Sequence, residues 1–176
     1  MRMRLKINGD GSLSYGLSLL GRFFYGLFCL ILIIGFISVI KDDGFTKGAF
    51  IPIFLFLLSL GGAGYRENWL FNPAEGSVES KIGFLFWTKK GNYRLSDINR
   101  ITIRHFVRGN PSIDPAVKGR GKNKAMVIFS LEFKDNSAKD IEIIGERVSG
   151  GRSEGAALKI ATVMGIPFWQ DRASER

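Results

Sequence analysis

Residues 23–40, FFYGLFCLILIIGFISVI, and residues 49–65, AFIPIFLFLLSLGGAGY, decide how this chain is read. Neither run carries a charge, and only the polar stretch Lys41–Gly48 separates them. Bilayer hydrocarbon is about 30 Å thick and an α-helix rises about 1.5 Å per residue, so runs of this length lie near the lower limit for spanning. The pair predicts a transmembrane helical hairpin over 23–65, with spans at 23–40 and 49–65 and an outside loop at 41–48. Pro52 falls in the first turn of the second run, where a missing N–H costs little. Ser59, Gly61, Gly62 and Ala63 form a small-residue patch near its far end, which lets backbones approach and predicts a packing face for the first helix or a second copy.

The rest of the composition agrees with a membrane setting. Among 176 residues the apolar ones crowd into the first third, and most early members of the 15 phenylalanines lie in or beside the two runs. The single cysteine, Cys29, lies inside the first run, so one chain can form neither a disulfide framework nor a thiolate metal site. Leu27 and Phe28 precede it where a lipoprotein acylation site would want small residues. A cleaved signal peptide fits poorly: the first run exceeds the usual apolar core, no A-x-A-like site follows Ile40, and a second apolar run begins within ten residues.

Basic residues set the orientation. The flank through Arg22 holds four Lys/Arg, the connecting loop two, offset by Asp42 and Asp43, and the tail nineteen. The positive-inside rule then predicts a multi-pass protein of the inner (plasma) membrane with both termini cytoplasmic. Residues 1–22 read as a cytoplasmic flank whose start, Met1–Ser18, is poorly ordered and becomes an interfacial helical lead-in, because Leu13, Leu17 and Leu20 recur at helical spacing. Arg22 is expected to snorkel to the headgroups, and Tyr65 and Trp69 to mark the inner interface.

From Arg66 the apolar period changes from helical to alternating. Trp69–Asn72, Ser77–Ile82, Phe84–Trp87, Tyr93–Leu95, Ile101–Phe106, Ala125–Phe133 and Asp140–Ile144 are short strand-like runs punctuated by Asn72-Pro73, Gly76, Gly83, Lys90-Gly91-Asn92, Arg108-Gly109-Asn110-Pro111 and Lys134-Asp135-Asn136-Ser137. In the clearest of them Val127, Phe129, Leu131 and Phe133 share one face. After Gly150-Gly151, Arg152-Ser153-Glu154 opens a helix in which Ala157, Ile160, Ala161 and Met164 recur at helical spacing, closed by Gly165 and Pro167. Ile166, Phe168 and Trp169 are expected to pack beside this helix.

Several segments resemble two-helix bacterial membrane proteins that carry a PH-like domain. They are Trp69-Leu70-Phe71-Asn72 directly after the second run, Gly76-Ser77-Val78-Glu79-Ser80, Ile82-Gly83-Phe84-Leu85-Phe86, Tyr93-Arg94-Leu95-Ser96-Asp97-Ile98 leading into Ile101-Thr102-Ile103, and Met164-Gly165-Ile166-Pro167. The photosystem I assembly factor family has a similar layout with a longer loop between its spans. The resemblance implies a membrane α-helical hairpin plus a β-rich PH-like domain, a bent antiparallel sheet of six to seven strands with one C-terminal helix. That domain would occupy 66–169 on the cytoplasmic side, with 170–176 as a polar tail. Leu95–Ile98 then reads as a turn in which Ser96 or Asp97 caps a short helical turn.

Chemistry is sparse. His105, the only histidine, lies in an alternating strand with no G-x-S-x-G nearby. No H-E-x-x-H, cysteine pair or EF-hand run occurs, so neither metal nor cofactor is expected. Gly119-Arg120-Gly121-Lys122 lacks the spacing of a phosphate loop. The notable charge is the basic set Arg104, Arg108, Lys118, Arg120, Lys122 and Lys124, opposed locally only by Asp114. Beside an anionic leaflet each such residue contributes about 1 kcal/mol of attraction. No aromatic residue interleaves the set between Val107 and Met126, which argues against nucleic acid. The sequence therefore points to a non-enzymatic integral membrane protein. Its cytoplasmic domain is expected to bind a protein partner or anionic lipid headgroups, with the bilayer, a membrane-protein client or a second copy as partners. The alternative is an assembly factor for a multisubunit membrane complex.

Overall fold

Before the first helix, alternation rather than helical spacing governs the chain. A computed structural model describes residues 3–43, 50–108 and 124–171. It opens with strands β1 (Met3–Ile7) and β2 (Leu13–Leu17), so the expected disordered start and helical lead-in are both replaced by strands. The Leu13/Leu17 spacing misled because four residues is a repeat of both periods. Leu13 and Tyr15 are buried as strand positions two apart. In the intervening turn, Asp10 accepts hydrogen bonds from the Ser12 hydroxyl and backbone N–H, and that hydroxyl holds its carboxyl below the ordinary value.

Helix α1 (Leu19–Asp43) and helix α2 (Phe50–Gly64) follow, then strands β3 (Tyr65–Asn72), β4 (Ser77–Phe84) and β5 (Trp87–Arg94). A 3₁₀ turn at Leu95–Asp97 leads into β6 (Ile98–Arg108), β7 (Lys124–Phe133) and β8 (Ala138–Gly145). The short α3 (Glu146–Ser149), α4 (Arg152–Met164) and β9 (Phe168–Gln170) complete the order. The strands form two sheets, ordered β1-β2-β3-β4-β5 and β8-β7-β6-β9. The described chain thus has one helix long and apolar enough to cross a membrane and a β-rich body of two sheets. The nine strands among the described residues exceed the six or seven expected, because the flank supplies two and the tail one.

The chain divides into two compact units, Met1–Lys6 with Ser14–Trp69 and Glu79–Gly91, and Ile7–Leu13 with Leu70–Val78 and Asn92–Arg176. Each of β1 to β5 has residues in both. In the first unit the helices are spliced between neighbouring strands. Only Ser18 separates β2 from α1, and β3 begins at the residue after α2. Gly16 permits the close approach of β2 and β3: a Cβ there would lie 2.5 Å from Asn68 Oδ1 and 2.7 Å from the Glu67 carbonyl oxygen. The Ser14 hydroxyl donates to Asn68 Oδ1 at 2.8 Å. Trp69, expected at an interface, is a core residue with no exposed surface. Phe84–Trp87 is no strand of its own. Leu85 and Phe86 form the turn between β4 and β5, with Leu85 at φ +48°, and Gly83 stands where a Cβ would collide with the Trp87 carbonyl.

In the second unit β7 pairs antiparallel with both β6 and β8. Ile101 and Ile103 on β6 and Val127, Phe129 and Leu131 on β7 are fully buried, as the alternation requires. Ser130 on the other face is also buried and its hydroxyl donates to Asp140, next to a register shift between Phe129 and Ser130. Helix α4 packs on β6, β7 and β9, burying Ala157, Ile160, Ala161 and Met164, and Gly165 ends it in the left-handed conformation (φ +66°). Neither Ser96 nor Asp97 caps the 3₁₀ turn; the Ser96 hydroxyl donates to the Asp97 carboxylate. Phe168 and Trp169 belong to β9, which pairs parallel with β6, so the sheet is mixed rather than wholly antiparallel. Arg100 joins this edge to the ladder, 2.6 Å from Glu132 and stacked over the Trp169 ring at 5.4 Å.

Gly16→Ala is expected to destabilise the protein by about 1–3 kcal/mol, because the added methyl meets the Glu67 carbonyl oxygen and Asn68 Cα as well as the Asn68 side chain, and the backbone atoms cannot swing away. Gly9→Ala, with nothing within 4 Å, should change stability by less than about 0.5 kcal/mol. Unfolding of the full chain in mild detergent, followed by near-UV circular dichroism, compares the two; equal effects would refute the close β2–β3 approach.

Candidate functional site: the apolar helix pair and the basic strand end

At about 1.5 Å per residue, α1 is roughly 37 Å long and α2 roughly 22 Å. Only 6% of the most apolar 18-residue window of α1 is buried. A core helix of a soluble protein buries its apolar stripe and turns charges outward. This one turns out Phe23, Phe24, Ile31 and Ile34, and α2 likewise exposes Ile51, Phe54, Leu57 and Leu58.

The face each helix presents to the other is small and specific. Tyr25, early in α1, packs on Gly62, late in α2, where a Cβ would lie 2.7 Å from the ring. Leu32, Ile33 and Phe36 line an apolar gap of about 170 Å³ with Pro52, Ile53 and Phe56 of the first turns of α2. Early residues thus meet late ones, so the helices run antiparallel. Of the small-residue patch, Ser59 is buried, Gly62 takes the Tyr25 ring, and the Ala63 carbonyl accepts a 3.3 Å hydrogen bond from Arg22 Nε. Gly61 stands apart, with open space where its Cβ would be. The Arg22 guanidinium, expected among headgroups, thus hydrogen-bonds through Nε to the last turn of α2, where unsatisfied carbonyls and the helix dipole favour a cation.

The basic set lies on β6 and β7. The side chain of Arg104 is exposed, and the ladder sets Arg108 opposite Lys124 in its last described pair. Lys118, Arg120 and Lys122 lie outside the described residues. Three of the six positions therefore belong to one strand pair, two of them opposite each other in register.

His105 is a nearly buried strand residue held between carboxylates. Its side chain is 5% exposed, with Nδ1 2.5 Å from Asp171 Oδ1 and Nε2 3.6 Å from Glu154 Oε1. Its backbone N–H donates to the other Asp171 oxygen. Glu154 in turn accepts from the buried Ser149 hydroxyl, and Ser153 donates to Glu142. Both imidazole nitrogens face carboxylates, so this chain of contacts fastens β6, α4 and the end of β9 together. Residue 171, read as part of a polar tail, is the clasp. The only sequence signal for it was an acid beyond an apolar strand, 66 residues from its histidine.

Sequence reasoning also missed the turn at Leu85–Phe86. Phe86 is 94% exposed and Trp87 86%, the two largest exposures among the large apolar side chains described. Elsewhere, Asn92, Tyr93, Asp97, Phe133, Lys134, Asp135 and Ser137 line an open cleft of mixed polarity, about 450 Å³ in volume. Hydrogen bonds from the Ser137 hydroxyl and N–H to Asp135, in that order of effect, lower its carboxyl pKa from the ordinary value. Among the described residues no group of three or more His, Cys, Asp or Glu is arranged to hold a metal.

Asp171→Ala removes the clasp and is expected to cost about 1–3 kcal/mol, since it strips a charged hydrogen-bond partner from a nearly buried imidazole. Hydrogen exchange should rise at the Phe168–Gln170 amides and stay unchanged at β8; equal exchange in both would show that β9 does not depend on Asp171. Compared with known proteins, the chain matches no protein-family model and no curated sequence.

Proposed function

We propose that this chain is a non-enzymatic integral membrane protein. In this reading α1 and α2 cross the inner membrane as a hairpin, and the β-rich body is a PH-like cytoplasmic domain that binds anionic lipid headgroups or a protein partner. The observation that carries it is the neighbouring of β2 and β3 in one sheet, although both helices lie between them in sequence. A single crossing would leave those strands on opposite sides of the bilayer. Two crossings return the chain to the side it left, and the unburied apolar surface of α1 calls for lipid. A cleaved signal sequence is disfavoured by the same pairing, because cleavage after α1 would strip β1 and β2 from the sheet.

Charge supports the binding role. The exposed Arg104 and the Arg108–Lys124 pair concentrate cations on one strand pair, which suits an anionic headgroup. The assembly-factor reading draws support from Gly61, an uncovered small residue beside the helix contact where another helix has room to approach.

The full chain is the right reagent, because a fragment beginning at residue 66 would lack two strands of its first sheet. Accessibility labelling of a cysteine placed at position 44 in whole cells is expected to mark an exterior loop, and cytoplasmic labelling would overturn the hairpin. Native mass spectrometry from mild detergent is expected to show retained anionic lipid or a stoichiometric protein. A variant with Arg104, Arg108 and Lys124 all changed to Ala should lose the lipid adducts. Undiminished adducts would remove these residues from the binding role, and a co-purified client would favour the assembly reading.

A further inference from the structure

We infer that the β4–β5 turn, with Phe86 and Trp87 at its tip, is a third membrane contact that inserts into the interfacial layer of the bilayer beside the end of α2. The inference rests on the membrane reading of the helices and deepens it by assigning lipid contact to a β-turn.

Geometry ties the turn to the helix end. The Leu85 backbone N–H donates to the carbonyl oxygen of Gly64, the last residue of α2, at 2.9 Å. Phe84 and Leu85 pack where a Gly64 Cβ would be, with Leu85 Cγ at 2.8 Å and Phe84 Cε2 at 3.0 Å from that position. The turn therefore caps one of the unsatisfied carbonyls that end α2. All of these residues belong to the unit that holds both helices. The chain reaches this position by leaving α2 along β3 and returning along β4.

The exposed chemistry is interfacial. Phe86 and Trp87 are almost wholly exposed, in the turn that is hydrogen-bonded to the last residue of α2. Aromatic side chains concentrate at that depth because an amphipathic ring suits the boundary between headgroup and hydrocarbon. Lys89 and Lys90 follow on β5, both exposed, a few residues further along a strand that rises about 3.3 Å per residue, which suits them to the headgroups. The occupant is lipid rather than protein because the turn is hydrogen-bonded to the end of a helix whose own apolar side chains, Leu57 and Leu58 among them, are exposed.

Depth measurement on the full chain in nanodiscs tests it. On a Cys29→Ala background, nitroxide labels are placed singly by Phe86→Cys, Ile34→Cys on the outer face of α1, and Ala74→Cys in the exposed β3–β4 turn. Collisional accessibility is read against molecular oxygen and a water-soluble nickel chelate. The expected result is a several-fold higher oxygen-to-nickel ratio at position 86 than at 74, approaching that at 34. If 34 reads as lipid while 86 matches 74, the turn lies in water and the inference falls with the membrane reading intact. If 86 is shielded from both reagents, protein or a second copy covers it, and the inference also falls. If 34 itself reads as water, the membrane reading fails and takes the inference with it.

Discussion

The neighbouring of β2 and β3 is the constraint on which the first unit depends. Both helices have to begin and end at adjacent strands, with one residue of slack on one side and none on the other. The contacts at that end of the pair are correspondingly close. Gly16 lets the two strands meet, Gly62 admits the Tyr25 ring, and Arg22 reaches the final turn of α2. A side chain at either glycine would push backbone or ring away and be felt in both helices and sheet. Interiors close-packed in this way respond to displacement as units.

The second unit is held by different means. Its core is the interleaving of β6 and β7 residues under α4, and its edge is managed by the tail. An exposed β6 edge would offer unpaired backbone groups to other chains. Strand β9 covers part of it, and the His105–Asp171 contact fastens the cover. The chain's only histidine thus helps to close a sheet.

Legibility in the sequence followed the range of the interactions. The apolar runs, the alternation in β7 and the spacing of α4 are local patterns, and each named its element within a few residues of the observed ends. What escaped depended on distant partners. Met3–Ile7 and Leu13–Leu17 are strands because the sheet has a place for them, and their charged or glycine-bearing sequences give little local sign of it. Gly83 and Gly91 looked like breaks, yet both lie inside strands, and Gly83 is required by a cross-strand approach. The β4–β5 turn has no glycine at its tip. Leu85 takes a left-handed conformation that sequence rules reserve for Gly or Asn, so the turn read as continuous strand. Of the candidate site, the Ser59–Ala63 patch was legible as a packing face, whereas Gly61 could be set apart from its neighbours only by geometry.

The splice of the helices between β2 and β3 also imposes an order on the making of the protein. Strands β1 and β2 leave the ribosome before the helices, and Asn68, the hydrogen-bonding partner of Ser14, follows 54 residues later. A two-stranded hairpin alone is marginal in water, so the early strands must wait. Closing so long a loop through disordered chain would carry an entropic cost, but two paired helices bring its ends together beforehand. Helix pairing ahead of sheet closure is therefore the order that this splice favours.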